Sequence, residues 1–296
     1  MFDLIATPFA YIMRFIYDLV NNYGLTIILF TILARVILWP LNASSQKSML
    51  AMQKIQPELA KLQEKYKNDK DKLGQETMKL YQENGVNPMG GCLPMLIQFP
   101  LIIAIYQVII KPITYLMNVK MSIGEIIALL QENGFGKGLT EASQQIQILD
   151  AVSKSGLADK IEGFINIDFT FFGLDLSQVP QSYLGQWQTN FIWIIPVLSL
   201  VSAYAMSKLS TSLSGNNSSA NKQTQQTQKT MLLLMPLMSG YFTLILPAGV
   251  GLYWIVSNIL QMIQQYIITM SLRKKTAQDD ISVNAVDVKI KKKKKK

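Results

Sequence analysis

Residues 24–41, GLTIILFTILARVILWPL, form an apolar run with one full charge, Arg35. About 20 apolar residues in a helix span the ~30 Å hydrocarbon core of a bilayer. Lipid offers no partner for a bare amide, so such a run must fold as a helix that pairs its own backbone. An Arg at that depth costs about 3 kcal/mol or more, which makes it a functional feature unless it reaches water. Snorkelling is the competing reading. Asn42 lies seven residues on, roughly 10 Å along a helix, and an Arg side chain covers much of that distance.

The pattern recurs. Five runs approach spanning length: 23–41, 93–117, 189–209, 230–247 and 249–270. The last two are split only at Leu246, Pro247, Ala248 and Gly249, which reads as a tight helical hairpin. Mean hydropathy is +0.21, positive as in few soluble proteins. One cysteine, Cys92, cannot form an internal disulfide, and the absence of histidine removes Ser-His-Asp triads, Cys-His pairs and histidine metal sites. A net charge of +9 suits a nucleic-acid binder or an anionic membrane surface, and the five runs decide for the membrane.

Lysine placement sets the orientation. Segment 42–92 carries eight lysines, and the tail after 271 ends in six consecutive ones. Residues 118–188 hold four lysines against eight acids. By the positive-inside rule 42–92, 210–229 and the tail are cytoplasmic, and 118–188 is outside. Five spans then put the N-terminus outside. Residues 1–22 are apolar but interrupted by Asp3, Arg14 and Asp18, with no basic n-region or cleavage site. An amphipathic helix on the outer leaflet is expected there, with a sixth span as the alternative.

The remaining segments read simply. Met52, Ile55, Leu59, Leu62 and Tyr66 alternate at spacings of three and four, the seam of a helical hairpin over 43–84. Asn68 to Asp71 make its turn, and Leu73, Thr77, Leu80 and Asn84 form the return seam. Ser122 and Glu125 have capping-box spacing for a helix ending at Gly134, and a second helix is expected over 140–155. Residues 210–229 are Ser, Asn and Gln rich and read as a flexible linker. Residues 271–296 form a basic cytoplasmic tail.

No Asp, Glu or Lys stands in mid-span, which argues against proton or sodium coupling and against an aspartyl membrane protease. Amides and hydroxyls occupy helical faces instead. Trp254, Asn258, Gln261 and Gln265 share one face of the last span, and Thr31, Arg35 and Asn42 one face of the first. Gln98 and Gln107 lie in the second span, Ser199 and Ser202 in the third, Ser239 and Thr243 in the fourth. Hydroxyls of this kind serve as interhelical glue, worth about 0.6 kcal/mol per contact. No span offers Arg35 a carboxylate, so its neighbours are expected to line a wet cavity open to the cytoplasm.

Several segments together resemble a known family. They are Gly24, Leu25, Thr26, Ile27 and Ile28 followed by Arg35, Pro40 and Leu41; Gln56 to Leu59 with Lys65 and Tyr66; Asn87, Pro88, Met89, Gly90, Gly91, Cys92, Leu93 and Pro94 running into Gln98, Pro100 and Tyr106; Phe172 to Ser177; and Leu246 to Gly249 through Tyr253, Trp254, Asn258 and Gln261. In this order and spacing the chain resembles the YidC-type membrane protein insertases of bacteria, which have mitochondrial and chloroplast counterparts. The likeness covers nearly all of residues 20–270 and is to the short form found in Gram-positive bacteria. The N-terminal stretch departs from many of those in lacking a lipoprotein cysteine.

The resemblance implies an all-α integral membrane protein, with five transmembrane helices around a hydrophilic groove and a cytoplasmic helical hairpin. The groove would be open to cytoplasm and lipid and closed outside, and Arg35, Thr31, Gln98, Trp254, Asn258 and Gln261 would bind substrate in it. The implied function is a membrane insertase and chaperone in a bacterial plasma membrane, not an enzyme, acting as a monomer without catalytic site, cofactor, metal or nucleotide hydrolysis. Its expected partners are nascent membrane proteins, the ribosome and membrane lipids, the basic tail meeting ribosomal RNA phosphates or anionic lipid. The sequence leaves open whether it works alone or beside the Sec translocon. A solute channel or transporter and a lipid scramblase are the competing readings.

Overall fold

The structure, a computed structural model, describes residues 2–87, 93–140, 145–183, 185, 191–213 and 222–293. Among these the order is α1 (Phe2–Val20), α2 (Tyr23–Ile37), α3 (Trp39–Lys65), α4 (Lys70–Glu83), α5 (Leu93–Ile110), α6 (Pro112–Tyr115), α7 (Ile123–Glu132), α8 (Gln145–Ser155), β1 (Thr170–Phe171), β2 (Leu174–Asp175), α9 (Ile194–Leu213), α10 (Lys222–Ile245) and α11 (Ala248–Lys293).

Proline punctuates the apolar runs. The run over 23–41 is not one helix: it breaks at Leu38, because Pro40 opens α3 and can neither donate a hydrogen bond nor clear the preceding turn. The run over 93–117 breaks at Lys111, which Pro112 holds outside the α region at φ −126° and ψ 55°. The split at Pro247 falls between α10 and α11, where the hairpin was expected. The linker expected over 210–229 is helical at both ends, in α9 and α10, and its middle lies outside the described residues. Among the described residues one helix, Phe191–Leu213, is long and apolar enough to cross a membrane alone. Tyr23–Ile37 and Trp39–Lys65 qualify together as a broken span, and Leu232–Ile245 is apolar but shorter.

The chain divides into two compact units. The first comprises Met1–Val36, Met95–Ala205 and Leu232–Asn258. Its core joins Met13, Ile27, Phe30, Ile105, Ile126 and Ile148, all fully buried. α1 turns Ala10, Met13 and Tyr17 into that core and leaves Tyr11, Phe15 and Leu19 exposed, so both of its faces are apolar. Around the core, α9 exposes Val197 and Val201, and α10 exposes Leu233, Leu237 and Tyr241. Repeated large apolar side chains at the surface mark contact with something other than water.

Residues 112–178 add a small lobe to this unit. The Ser122–Glu125 capping box forms as expected: Glu125 N–H donates to Ser122 Oγ at 3.3 Å, and Ser122 N–H donates to Glu125 Oε2 at 2.7 Å. Hydrogen bonding from Ser122 holds the Glu125 carboxyl below its ordinary range. α8 is tied to α6 by a reciprocal pair, Thr114 N–H to Gln145 Oε1 at 3.0 Å and Gln145 Nε2 to Thr114 Oγ1 at 2.6 Å. The start expected for α8, at 140, falls against residues 141–144, outside the described ones.

The lobe also departs from an all-α fold. β1 and β2 pair antiparallel, Thr170 with Asp175 and Phe171 with Leu174. The turn needs two left-handed residues, and Gly173 at φ +77° supplies one of them. The hairpin braces helix ends. Ala248 N–H donates to Gln178 O and Gly249 N–H to Leu176 O, each at 2.8 Å, which satisfies free amides at the start of α11. Phe171 lies over Gly24 of α2, where an added Cβ would stand 2.2 Å from its ring. Phe169 meets Tyr23 edge to face at 4.8 Å.

The second unit comprises Ile37–Pro94, Met206–Met231 and Ile259–Lys296. Its α3–α4 hairpin forms as the seam requires. Ile55, Leu80 and Val86 are buried, with Met52, Leu59 and Leu62 packed on them. The return seam differs from expectation. Tyr81 and Val86 pack there, and Asn84 instead ends α4, its side chain donating to Leu80 O at 2.9 Å. Gly85 at φ +61° then lets Gly85 N–H reach Gln82 O and Val86 N–H reach Tyr81 O. This is a Schellman closure, and it swings Val86 into the seam. α11 runs unbroken through the start of the expected tail.

A guanidinium among hydroxyls in an apolar shell

Arg35 stands in the last turn of α2, where the negative end of the helix dipole favours a cation. Its neighbours Ile32, Leu33 and Val36 are exposed. The guanidinium turns the other way, and Nη2 donates to the Ser257 hydroxyl on α11. Ser257 is 2% exposed and sits one turn after buried Tyr253. The charge is thus held inside the first unit by a neutral oxygen, in surroundings built from apolar helices.

A chain of hydroxyls continues from there. Asn258, next to Ser257, donates from Nδ2 to Ser202 Oγ on α9 at 3.1 Å. Ser202 donates to Ser199 O at 3.0 Å, and Ser199 Oγ meets Ser239 Oγ of α10 at 2.8 Å. Thr243 donates back to Ser239 O at 2.9 Å. Three helices share this belt, which is the interhelical role expected of the hydroxyls. In the second unit Asn42 Nδ2 donates to Gln264 Oε1 at 3.1 Å, and Gln265 Nε2 to Ser210 Oγ at 3.2 Å.

The six residues singled out from sequence separate. Arg35 and Asn258 fall on adjoining parts of the belt. Trp254 is half-buried and stacks on Phe242 of α10, with centroids 6.3 Å apart and planes at 15°. Thr31 is only 1% exposed and donates to Ile27 O of its own helix at 2.6 Å. Gln261 is half-buried on α11 and belongs to the second unit. The side chain of Gln98 lies outside the described residues. Sequence reasoning missed Ser257. Its signal was a hydroxyl three residues after Trp254, on the flank of the polar face.

An interior furnished with hydroxyls and one guanidinium, beneath exposed Leu, Ile and Val, defines a helical membrane protein. The family model for the 60 kDa inner membrane protein matches residues 15–276. A membrane protein insertase YidC from Clostridium perfringens (strain 13 / Type A) is 34% identical over 258 residues, 87% of this chain and 83% of that protein. A membrane protein insertase YidC from Geobacter sulfurreducens (strain ATCC 51573 / DSM 12127 / PCA) is 29% identical over 271 residues, 92% of this chain but 38% of that longer protein. Among solved structures, the crystal structure of an active YidC insertase with its first transmembrane domain resolved has a TM-score of 0.49 and 22% identity, covering 89% of this chain and 46% of that one. That likeness is too loose to place individual residues. The chain belongs to the family of YidC-type membrane protein insertases.

Proposed function

We propose that this protein inserts nascent membrane proteins by receiving their polar segments at Arg35 and releasing their apolar segments sideways into lipid. One observation carries the reading: a guanidinium held by a neutral hydroxyl within a mostly apolar unit. A fixed cation in a medium of low dielectric attracts an incoming carboxylate far more strongly than water allows. A polar pocket part-way through the bilayer shortens the dry path of the translocated segment. The hydrophobic part of the substrate then leaves by burying apolar surface in lipid, at about 25 cal/mol per Å². No step calls on nucleotide or metal chemistry.

In this reading five spans cross a bacterial plasma membrane, with the N-terminus outside and the C-terminus in the cytoplasm. The lysine-rich 42–92 segment and the tail meet the cytoplasm, and the 118–188 lobe stands outside. Trp254 and Asn258 flank Arg35 in the substrate pocket. A single copy acts, with the ribosome as donor of the nascent chain and the Sec translocon as a further partner.

Photocrosslinking tests it. A photoreactive amino acid at position 35 should capture ribosome-bound nascent chains with acidic tails. The same probe at Tyr11, exposed on α1, should not. Equal capture at both positions, or none at 35, would overturn the proposal.

A further inference from the structure

Phe172 is the most exposed large apolar side chain in the described structure, at 91%. Its backbone is left-handed, at φ +49°, a conformation bulky side chains rarely adopt. The two-residue turn it opens is one that Asn-Gly usually forms. The turn demands the left-handed backbone, but nothing in the hairpin demands a large bare ring on it, where Asn would serve. Such outliers point to a role outside the fold.

The surroundings say what covers the ring. Phe171 lies on Gly24, so the turn hangs beside the outer end of α2. There begins the exposed stripe Leu25, Leu29, Ile32, Leu33 and Val36. Phe172 stands at this end of the helix, edge to face with Phe171 at 4.6 Å. No protein pocket surrounds the tip, since an added Cβ on Gly173 would meet nothing within 4 Å. The nearby acids are engaged away from it: Asp168 accepts from Thr170 N–H at 2.8 Å, and Asp175 from Ser177 Oγ at 2.6 Å. The hairpin is thus apolar at its tip and polar at its base, the profile of a group lodged at a membrane interface.

We propose that the β1–β2 turn is a lipid anchor, with the Phe172 ring seated in the headgroup and acyl boundary of the outer leaflet. The inference rests on the reading above that α2 crosses the membrane with its first turn outside. It adds an external lipid contact that fixes the height of α2, and with it the depth of Arg35.

The test is Phe172→Trp in the full chain, reconstituted in phosphatidylcholine and phosphatidylglycerol vesicles. Its added emission over wild type should be blue-shifted and fall several-fold with a nitroxide on the fifth acyl carbon of the lipid. Iodide should leave it nearly unchanged. Thr170→Cys carrying an environment-sensitive dye, in a Cys92→Ser background, reads the same depth with Phe172 intact. Quenching of both probes by iodide and not by lipid nitroxide would put the tip in water and overturn the proposal. Emission that follows the protein-to-lipid ratio would assign the ring to a second copy and overturn it too. Asp159→Cys in the same background, treated on intact cells with an impermeant maleimide, checks the orientation separately. Labelling supports an external lobe, and its failure would overturn the orientation and the outer-leaflet assignment with it.

Discussion

Arg35 donates to Ser257, while Asn258, the next residue, donates in another direction to Ser202. One turn of α11 therefore divides its polar side chains between the charge on α2 and the belt through α9 and α10. That division makes the Arg35–Ser257 contact and the belt separable by mutation.

Arg35→Ala should lower insertion of substrates with acidic translocated tails by about tenfold, equivalent to roughly 1.4 kcal/mol. Neutral-tailed substrates should change far less. Arg35→Lys should keep much of the activity if charge rather than bidentate geometry matters. Protease protection of inserted tails in proteoliposomes measures both, and equal insertion by wild type and Arg35→Ala across acidic substrates would refute the role.

Ser257→Ala should act on the fold rather than on the charge. It removes a hydrogen bond to a cation, a loss of about 1.5–3 kcal/mol, and should lower the melting temperature in detergent. Ser257→Thr, which keeps the hydroxyl, should melt close to wild type. Acidic-tailed insertion by Ser257→Ala should stay within about twofold once corrected for folded protein, because the guanidinium remains.

Thiol labelling separates pocket from packing. In a Cys92→Ser background Asn258→Cys and Trp254→Cys, both half-buried, should react with a water-soluble reagent from the cytoplasmic side. Thr31→Cys should be protected, because Thr31 is turned inward and bonded to Ile27 O. Protection at all three positions would mean that these residues only pack helices.

The tail needs a different boundary from the one its charge suggests. Arg273 donates to Leu213 O at 2.6 Å and so caps the last turn of α9. Deleting 275–296 should leave that cap intact and flatten the salt dependence of ribosome binding, since fewer counterions are released. Co-sedimentation over a salt series measures it. Identical curves for full-length and truncated protein would leave the tail with no ribosomal role.

The lobe over residues 112–178 should show an acid limb. Hydrogen bonds from Ser122 depress the Glu125 carboxyl, so its contribution to α7 is complete above the ordinary glutamate value. It is lost as pH falls through the lower folded value. Hydrogen exchange of α7 amides should therefore accelerate only below the ordinary carboxylate range, and Ser122→Ala should move that onset to higher pH.

Much of this was legible in the chain. Capping at Ser122 is local chemistry, and the α3 seam is a period, so both survive without knowledge of the fold. The breaks at Leu38 and Lys111 were also written, in Pro40 and Pro112, but a long apolar run conceals them. The return seam misled because Asn84 has the right spacing yet spends its amide on Leu80 O. Ser257 could not be ranked above Asn258, because their division of partners depends on how α11 is rotated against its neighbours. That rotation is set by tertiary packing rather than by spacing.

The junction between the β1–β2 hairpin and α11 is made by backbone groups, Ala248 and Gly249 donating to the carbonyls of Gln178 and Leu176. Main-chain bonds do not depend on side-chain identity. Leu176 and Ala248 are nonetheless buried, so their side chains answer to the core while their backbone groups hold the junction. Side chains are excluded outright at Gly24 beneath Phe171 and at Gly251 against Ile195. Proline at 249 would remove the donor to Leu176 O, and any added Cβ there would stand 3.2 Å from Ile109 and 3.3 Å from Ile27. Geometry, in main-chain bonds and bare glycines, thus fixes this junction where side-chain chemistry alone would not.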